Sequence, residues 1–182
     1  MNDERTTLMV TLDMSAAFDT IDHTTLVDRL QNTFGVSGQA LRWVASYLHD
    51  PSTFVKWGSG QSTTAGCKVG VPQGSALDPL PFTLFVGPLA NVTQAYGIKH
   101  HRYADDTQMY ICVKKSDNSS SDIGALKRCT DAVYTWLSNN GLALNPSISE
   151  VVKFDCRKQT TNQITAVKVT DPLYNCLQLS RA

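Results

Sequence analysis

Two adjacent carboxylates, Asp105 and Asp106, stand between two strand-like runs in His101-Arg102-Tyr103-Ala104-Asp105-Asp106-Thr107-Gln108-Met109-Tyr110. Tyr103, Met109, Tyr110 and Ile111 supply the apolar and aromatic flanks. The pattern predicts a β-hairpin with the acids at or next to its turn. A hairpin pairs its strands antiparallel, so the sheet built around it is expected to be antiparallel. Asp is also an ordinary turn residue, because it hydrogen-bonds its own backbone and tolerates unusual φ. Taken alone, the pair fits a solvated turn.

The remaining elements follow from period and punctuation. Thr6 to Leu12 is β-prone and ends in Asp13, an acid at a strand end, where loops form sites. Met14 to Thr20 reads as a compact turn carrying Phe18, a large aromatic whose default place is the core. Thr24 to Phe34 reads as a helix capped by Asp22 or Thr24, with Leu26, Leu30 and Phe34 on one face and Gly35 as its stop. Ser37 to His49 reads as a second helix. Thr53 to Trp57 and Thr63 to Val69 read as a hairpin around Gly58-Ser59-Gly60.

Gly70-Val71-Pro72-Gln73-Gly74-Ser75 is a tight stretch that nothing bulky obstructs, fit for an ordinary loop or for close approach to a ligand. A helix is expected from Phe82 to Tyr96, a polar loop from Ser116 to Asp122, and a helix from Ile123 to Asn139. Leu142 to Pro146, Val151 to Asp155 and Ile164 to Val169 read as short strands, and Asp171 to Ala182 has no clear period. The order predicts an α+β domain, an antiparallel sheet with helices packed on one face.

Composition narrows the function. With 182 residues, 42% hydrophobic and 18% charged, the chain is that of a folded domain. Net charge is zero, which weighs against indiscriminate phosphate binding. The balance is uneven: four basic and seven acidic residues lie in 1–60, three of each in 61–109, and nine basic and six acidic in 110–182. The five cysteines, Cys67, Cys112, Cys129, Cys156 and Cys176, have no zinc spacing and read as reduced thiols. No signal peptide or spanning apolar run is expected, so the chain reads as intracellular, with no membrane partner.

If Asp13 lies on a strand next to the Asp105-Asp106 hairpin, three carboxylates crowd one cleft edge. Their repulsion is relieved by protonation or by cations. Mg²⁺ suits such hard oxygen ligands, because it takes one or two carboxylates plus substrate phosphates. Two such ions can activate an attacking oxygen and stabilise a leaving one. No P-loop, nucleophile elbow or zinc set offers a competing apparatus.

Leu12-Asp13-Met14-Ser15-Ala16-Ala17-Phe18-Asp19, Gly70-Val71-Pro72-Gln73-Gly74-Ser75, Tyr103-Ala104-Asp105-Asp106 and Leu142-Ala143-Leu144-Asn145-Pro146 resemble, in order and spacing, the palm motifs of reverse transcriptases. The wording around them is most like that of non-LTR (LINE-type) retrotransposon enzymes. The resemblance implies a polymerase palm over residues 1–157, with 158–182 a remnant or unassigned tail. It implies RNA-directed DNA synthesis with two Mg²⁺ ions (Mn²⁺ as a substitute), an RNA template, a DNA primer and dNTPs. Asp13 and Asp105 would hold the metals with Asp106 beside them. Phe18 would exclude a 2′-OH, Gln73 and Gly74 would lie against nucleotide and template, and Tyr103 would face the primer end.

The match has departures. The family usually has Gly at Asp78, Leu at Pro81 and Lys near Ile148, where that Lys is thought to protonate the leaving pyrophosphate. Loss of a general acid costs about 10²–10⁴-fold in rate, and Lys153 is the nearest substitute in sequence. Fingers before Asp13, a thumb after it, an endonuclease and a zinc knuckle are all expected to be missing, so the chain reads as a partial or decayed copy. A separate polypeptide supplying fingers and thumb is one way to complete it. The alternative is an inactive palm-derived domain that only binds nucleic acid or protein. A two-metal nuclease uses the same acids but has no use for Phe18 or Pro72-Gln73-Gly74.

Overall fold

The computed structural model describes residues 5–71, 79–114, 119–145, 149–155 and 165–168. In chain order the elements are β1 Arg5–Leu12, β2 Met14–Ser15, a 3₁₀ turn Ala17–Thr20, α1 His23–Asn32 and α2 Gly38–Tyr47. Four two-residue strands follow: β3 Ser52–Thr53, β4 Lys56–Trp57, β5 Gly60–Gln61 and β6 Ala65–Gly66. Then come α3 Pro79–Phe85, α4 Leu89–Ala95, β7 Lys99–Tyr103, β8 Asp106–Lys114 and α5 Ser119–Asn139. The described chain closes with β9 Ala143–Leu144, β10 Glu150–Asp155 and β11 Thr165–Lys168.

These elements form two compact units, residues 1–15 with 89–182, and residues 16–88. The first is built on a five-stranded sheet of order β11-β10-β1-β8-β7, antiparallel at every pairing. β1 is central. Val10 lies opposite Met109 on one side and Val151 on the other, and Leu12 lies opposite Thr107. Directly opposed residues share a sheet face, so Val10, Leu12, Met109 and Val151 form one apolar layer, and all four are buried. Helices α4 and α5 pack on the sheet through β7 and β8 and against each other. Leu126, Cys129, Val133 and Leu137 give α5 its buried stripe. Burial pushes the Cys129 thiol up to about 11, which keeps it inert at neutral pH.

The expected α+β architecture is the one observed, with three shifts among the helices. The segment expected to be one helix from Phe82 to Tyr96 is two, α3 and α4, parted at Val86-Gly87-Pro88. Pro88 has no N–H to continue the ladder, and it restricts Gly87 before it. Helix α5 begins at Ser119 and not Ile123, absorbing serines that composition alone assigns to a loop. Asp22 does cap α1, accepting from the Thr25 amide at 2.7 Å, but Phe34 lies beyond the helix end and is 41% exposed.

In the second unit α1 packs on α3. Arg29 donates to the Phe85 carbonyl, and its guanidinium lies 4.4 Å from the Phe85 ring centre. The predicted hairpin is present, with its turn at Gly58-Ser59 and its return strand starting at Gly60.

Among the described residues two buried side-chain oxygens have no hydrogen-bond partner, Asp131 Oδ1 on α5 and Thr107 Oγ1 in the core. Thr107 is buried at 1% exposure and its Oγ1 has no hydrogen-bond partner. A buried orphan hydroxyl costs about 1–3 kcal/mol. Thr107→Val keeps the branched shape and removes the orphan. It is expected to raise the melting temperature by about 2–4 °C for about 1 kcal/mol gained, and a drop in Tm would contradict this.

Candidate active site

Asp13 sits one residue past β1, between two ladders. Leu12 closes the pairing with β8, and Met14 opens the short pairing with Leu144 of β9. Its backbone is held on both sides: the carbonyl accepts from the Asn145 amide at 2.8 Å, and the amide donates to Ser149 Oγ at 3.3 Å. Ser149 Oγ in turn donates to the Asn145 carbonyl at 2.8 Å, and Ser149 is buried at 1% exposure. Leu144 and Asn145, read from the sequence as part of a short strand and of a palm motif, therefore strap Asp13 in place. Ser149 escaped sequence reasoning, because nothing in a lone serine after Asn-Pro signals a partner 136 residues away.

The β7–β8 hairpin closes on the pair Tyr103↔Asp106, leaving Ala104 and Asp105 as its two-residue turn. Ala104 takes φ 52°, a left-handed conformation that costs an alanine about 1–2 kcal/mol. Continuing the β1–β8 register one step past Leu12↔Thr107 sets Asp13 across from Asp106. Thr107 and Leu12 face the core, so the alternation of strand side chains turns Asp13 and Asp106 to the opposite face, while Asp105 stands in the turn itself.

Electrostatics shows the same convergence. Burial holds the Asp13 carboxyl above the usual Asp value, and the charges of Asp105 and then Asp106 push it further in the same direction. A raised carboxyl binds protons in the folded state that it has already released in the unfolded chain. Stability therefore falls as pH rises through the window above the ordinary Asp value of 3.8. Asp13→Asn is expected to remove this loss and raise Tm at pH 7 by about 2 °C, a small effect because the group is partly solvated. Parallel melts from pH 4 to 8 check it: the gain should shrink at the acid end, and a gain independent of pH would contradict it.

Asp13, Tyr103, Asp105 and Asp106 belong to the first unit, and Tyr103 is 78% exposed. Phe18 belongs to the second. Its 3₁₀ turn follows Ala16, another left-handed alanine at φ 49°, and its ring rests on the buried Phe82 ring, centroids 4.8 Å apart. The turn is fastened to the start of the glycine loop. Val71 donates to the Phe18 carbonyl at 2.9 Å, Gly70 to Ile21 at 2.8 Å, and His23 Nε2 to the Gly70 carbonyl at 2.6 Å.

Gln73, Gly74, Asp78 and Ile148 lie outside the described residues. Pro81 falls in the first turn of α3, where amides have no intrahelical acceptor, so its missing N–H costs that helix nothing. Lys153 pairs with Leu8, five residues up β1 from Asp13. At about 3.3 Å per residue that is roughly 16 Å along the strand, too far for it to replace a proton donor at Ile148.

Among the described residues no group of three or more His, Cys, Asp or Glu side chains is arranged so that it could hold a metal ion. The donor set still fits a hard cation. Strand register sets the Asp13 and Asp106 positions opposite each other beside the Asp105 turn, and Mg²⁺ asks for one or two carboxylates with the remaining positions left to water and phosphate.

Residues 1–168 match the family described as "Reverse transcriptase (RNA-dependent DNA polymerase)". Two curated Drosophila melanogaster proteins are similar. One, "Probable RNA-directed DNA polymerase from transposon BS", is 28% identical over 144 residues, 75% of this chain. The other, "RNA-directed DNA polymerase from mobile element jockey", is 27% identical over 139 residues, 74% of this chain. The chain spans 15% of the length of each. Among solved structures, apo telomerase from Candida tropicalis superposes with a TM-score of 0.57 at 17% identity, over 89% of this chain and 33% of that one. That likeness establishes the palm-type fold.

Proposed function

The chain belongs to the reverse transcriptase (RNA-dependent DNA polymerase) family, and from that premise we propose that it is the palm of an RNA-directed DNA polymerase, extending a DNA primer on an RNA template. The observation that carries the proposal is the strand register, which brings Asp13 at the end of β1 beside the Asp105-Asp106 turn of the neighbouring hairpin. Asp13 and Asp105 would hold two Mg²⁺ or Mn²⁺ ions, with Asp106 beside them. Bound there, such ions supply charge neutralisation to the phosphates and a more acidic primer hydroxyl.

The chain's own residues position the reactants, which is most of what phosphoryl transfer asks of a protein. Phe18, backed by Phe82 and tied to Val71, would act as the gate against a 2′-OH. Gln73 and Gly74 would lie along nucleotide and template, and Tyr103, with its ring exposed, would meet the primer end. The rest of a polymerase would come from a longer chain or a separate polypeptide.

The second reading, a palm-derived domain that binds nucleic acid without synthesis, draws on Ile148 and on the distance of Lys153 from the acids. Primer extension on an RNA template separates the two. Incorporation of dNTPs that disappears in Asp105→Asn supports the polymerase. Signal that survives the substitution, or RNA binding with no extension, contradicts it.

A further inference from the structure

The chain's zero net charge conceals an acid-poor stretch. Between Asp28 and Asp78 there is one carboxylate, Asp50, against Arg29, Arg42, Lys56 and Lys68. Asp50 is itself beside His49, at 3.5 Å. The same stretch holds six of the large hydrophobic side chains that the fold leaves in solvent: Phe34, Trp43, Phe54, Val55, Trp57 and Val69.

They are densest on the β3–β6 hairpin. Trp57 is 87% exposed, Val55 70% and Phe54 49%, with Lys56 exposed among them. The hairpin is held by its backbone and not by a core. Lys56 pairs with Gln61 and Thr53 with Ala65; Val55 and Ser62 exchange bonds, with the Ser62 amide donating to the Val55 carbonyl at 2.9 Å and the Val55 amide to Ser62 Oγ at 2.9 Å. Between the two ladders the return strand carries one extra residue, a bulge that adds twist. An indole this exposed contributes nothing to the fold it stands on.

We propose that the Phe54–Trp57 segment of this hairpin is a docking surface for a single nucleic-acid strand. The partner class comes from the proposed function, while the site and its chemistry are separate from the carboxylates. Aromatic faces stack bases without regard to sequence, and a nearby cation meets the phosphates. An acid-poor sector removes the repulsion that the rest of the chain would impose on a polyanion. A protein strand added to the hairpin edge would use backbone bonds and show little salt dependence, and it gives no reason for the missing carboxylates.

The test is binding of fluorescein-labelled oligo(U) and oligo(dT) 12-mers to the whole chain in EDTA, which leaves the carboxylate site without metal, over a range of salt. Trp57→Ala is expected to weaken binding by about tenfold or more, at the low end of measured stacking contributions. Trp57→Phe is expected to restore most of it. Lys56→Ala should reduce the slope of log K against log[salt] by about 0.7, the value for one phosphate on a single strand. Circular dichroism melts of the variants should match the wild type, since these side chains are exposed. Binding that Trp57→Ala and Lys56→Ala leave unchanged would overturn the assignment while leaving nucleic-acid binding by the domain intact. Absence of binding by the wild type, or a Trp57-dependent dimer by light scattering, would also overturn it. Primer extension is scored separately in Mg²⁺, so a chain that docks RNA through Trp57 but makes no DNA contradicts the polymerase reading and not this one.

Discussion

Asp105→Asn is expected to lower primer extension by about 10³-fold or more. Charge neutralisation by a bound cation is worth several kcal/mol to a phosphoryl-transfer transition state, and each 1.36 kcal/mol is a factor of about ten in rate. Asn keeps the shape of the turn residue and removes the negative charge that would hold the cation. The variant should remain folded, because Asp105 occupies a two-residue turn between paired strands and supports no core. Its loss also relieves one of the charges that raise Asp13, so stability should be equal or slightly higher. Loss of extension together with an unchanged or raised Tm identifies a functional acid. Loss of both would indicate that the substitution damaged the hairpin.

Gly70→Ala is expected to destabilise the chain by about 2–4 kcal/mol, the sum of left-handed strain and overpacking. Gly70 has φ 87°, and a Cβ there would lie 3.0 Å from the Asp19 Cα and carbonyl oxygen. Those are backbone atoms that cannot rotate away. The same residue donates to Ile21 and accepts from His23, so a displaced Gly70 also releases Val71 from Phe18. For a chain of this length the fall in Tm should be near 10 °C, at about 2–4 °C per kcal/mol. Gly66→Ala is the control, since a Cβ there meets nothing within 4 Å. Equal melts for the two variants would contradict the packing described for the Phe18 turn.

Much of this was legible in the sequence because local signals and tertiary demands agree. The Asp105-Asp106 hairpin was readable from alternation and turn chemistry, and α1 from its cap and its Leu26–Leu30 spacing. The acids of Asp13 and the hairpin meet because the strands carrying them are neighbours in the sheet. What local patterns missed depends on long-range contacts. The break at Val86-Gly87-Pro88 is visible as Gly-Pro, yet periodicity on both sides of it argues for one helix. The fastening of Asp13 by Ser149 and of Gly70 by His23 pairs residues 136 and 47 positions apart, with no residue pattern to announce it. The acid-poor aromatic sector was diluted by whole-chain charge, and the exposure of Trp57 could be known only once the hairpin was placed.

The left-handed alanines have a related reading. Ala16 and Ala104 each sit within three residues of a site acid, and with Asp50 they are the non-glycine residues at positive φ among the described residues. Strain of this kind persists where the surrounding structure over-determines the backbone. Here the ladders of β2 with β9 and of β7 with β8 do so, and the acids are fixed in place as a result.

The central claim is that Asp13, Asp105 and Asp106 form one divalent-cation site. Titration of Mn²⁺, followed by its electron paramagnetic resonance signal, measures this without requiring a complete polymerase. The account predicts that the wild type binds Mn²⁺ and that Asp13→Asn and Asp105→Asn each weaken binding by about tenfold or more, about 1.4 kcal/mol. Equal Mn²⁺ affinity in all three proteins would contradict it.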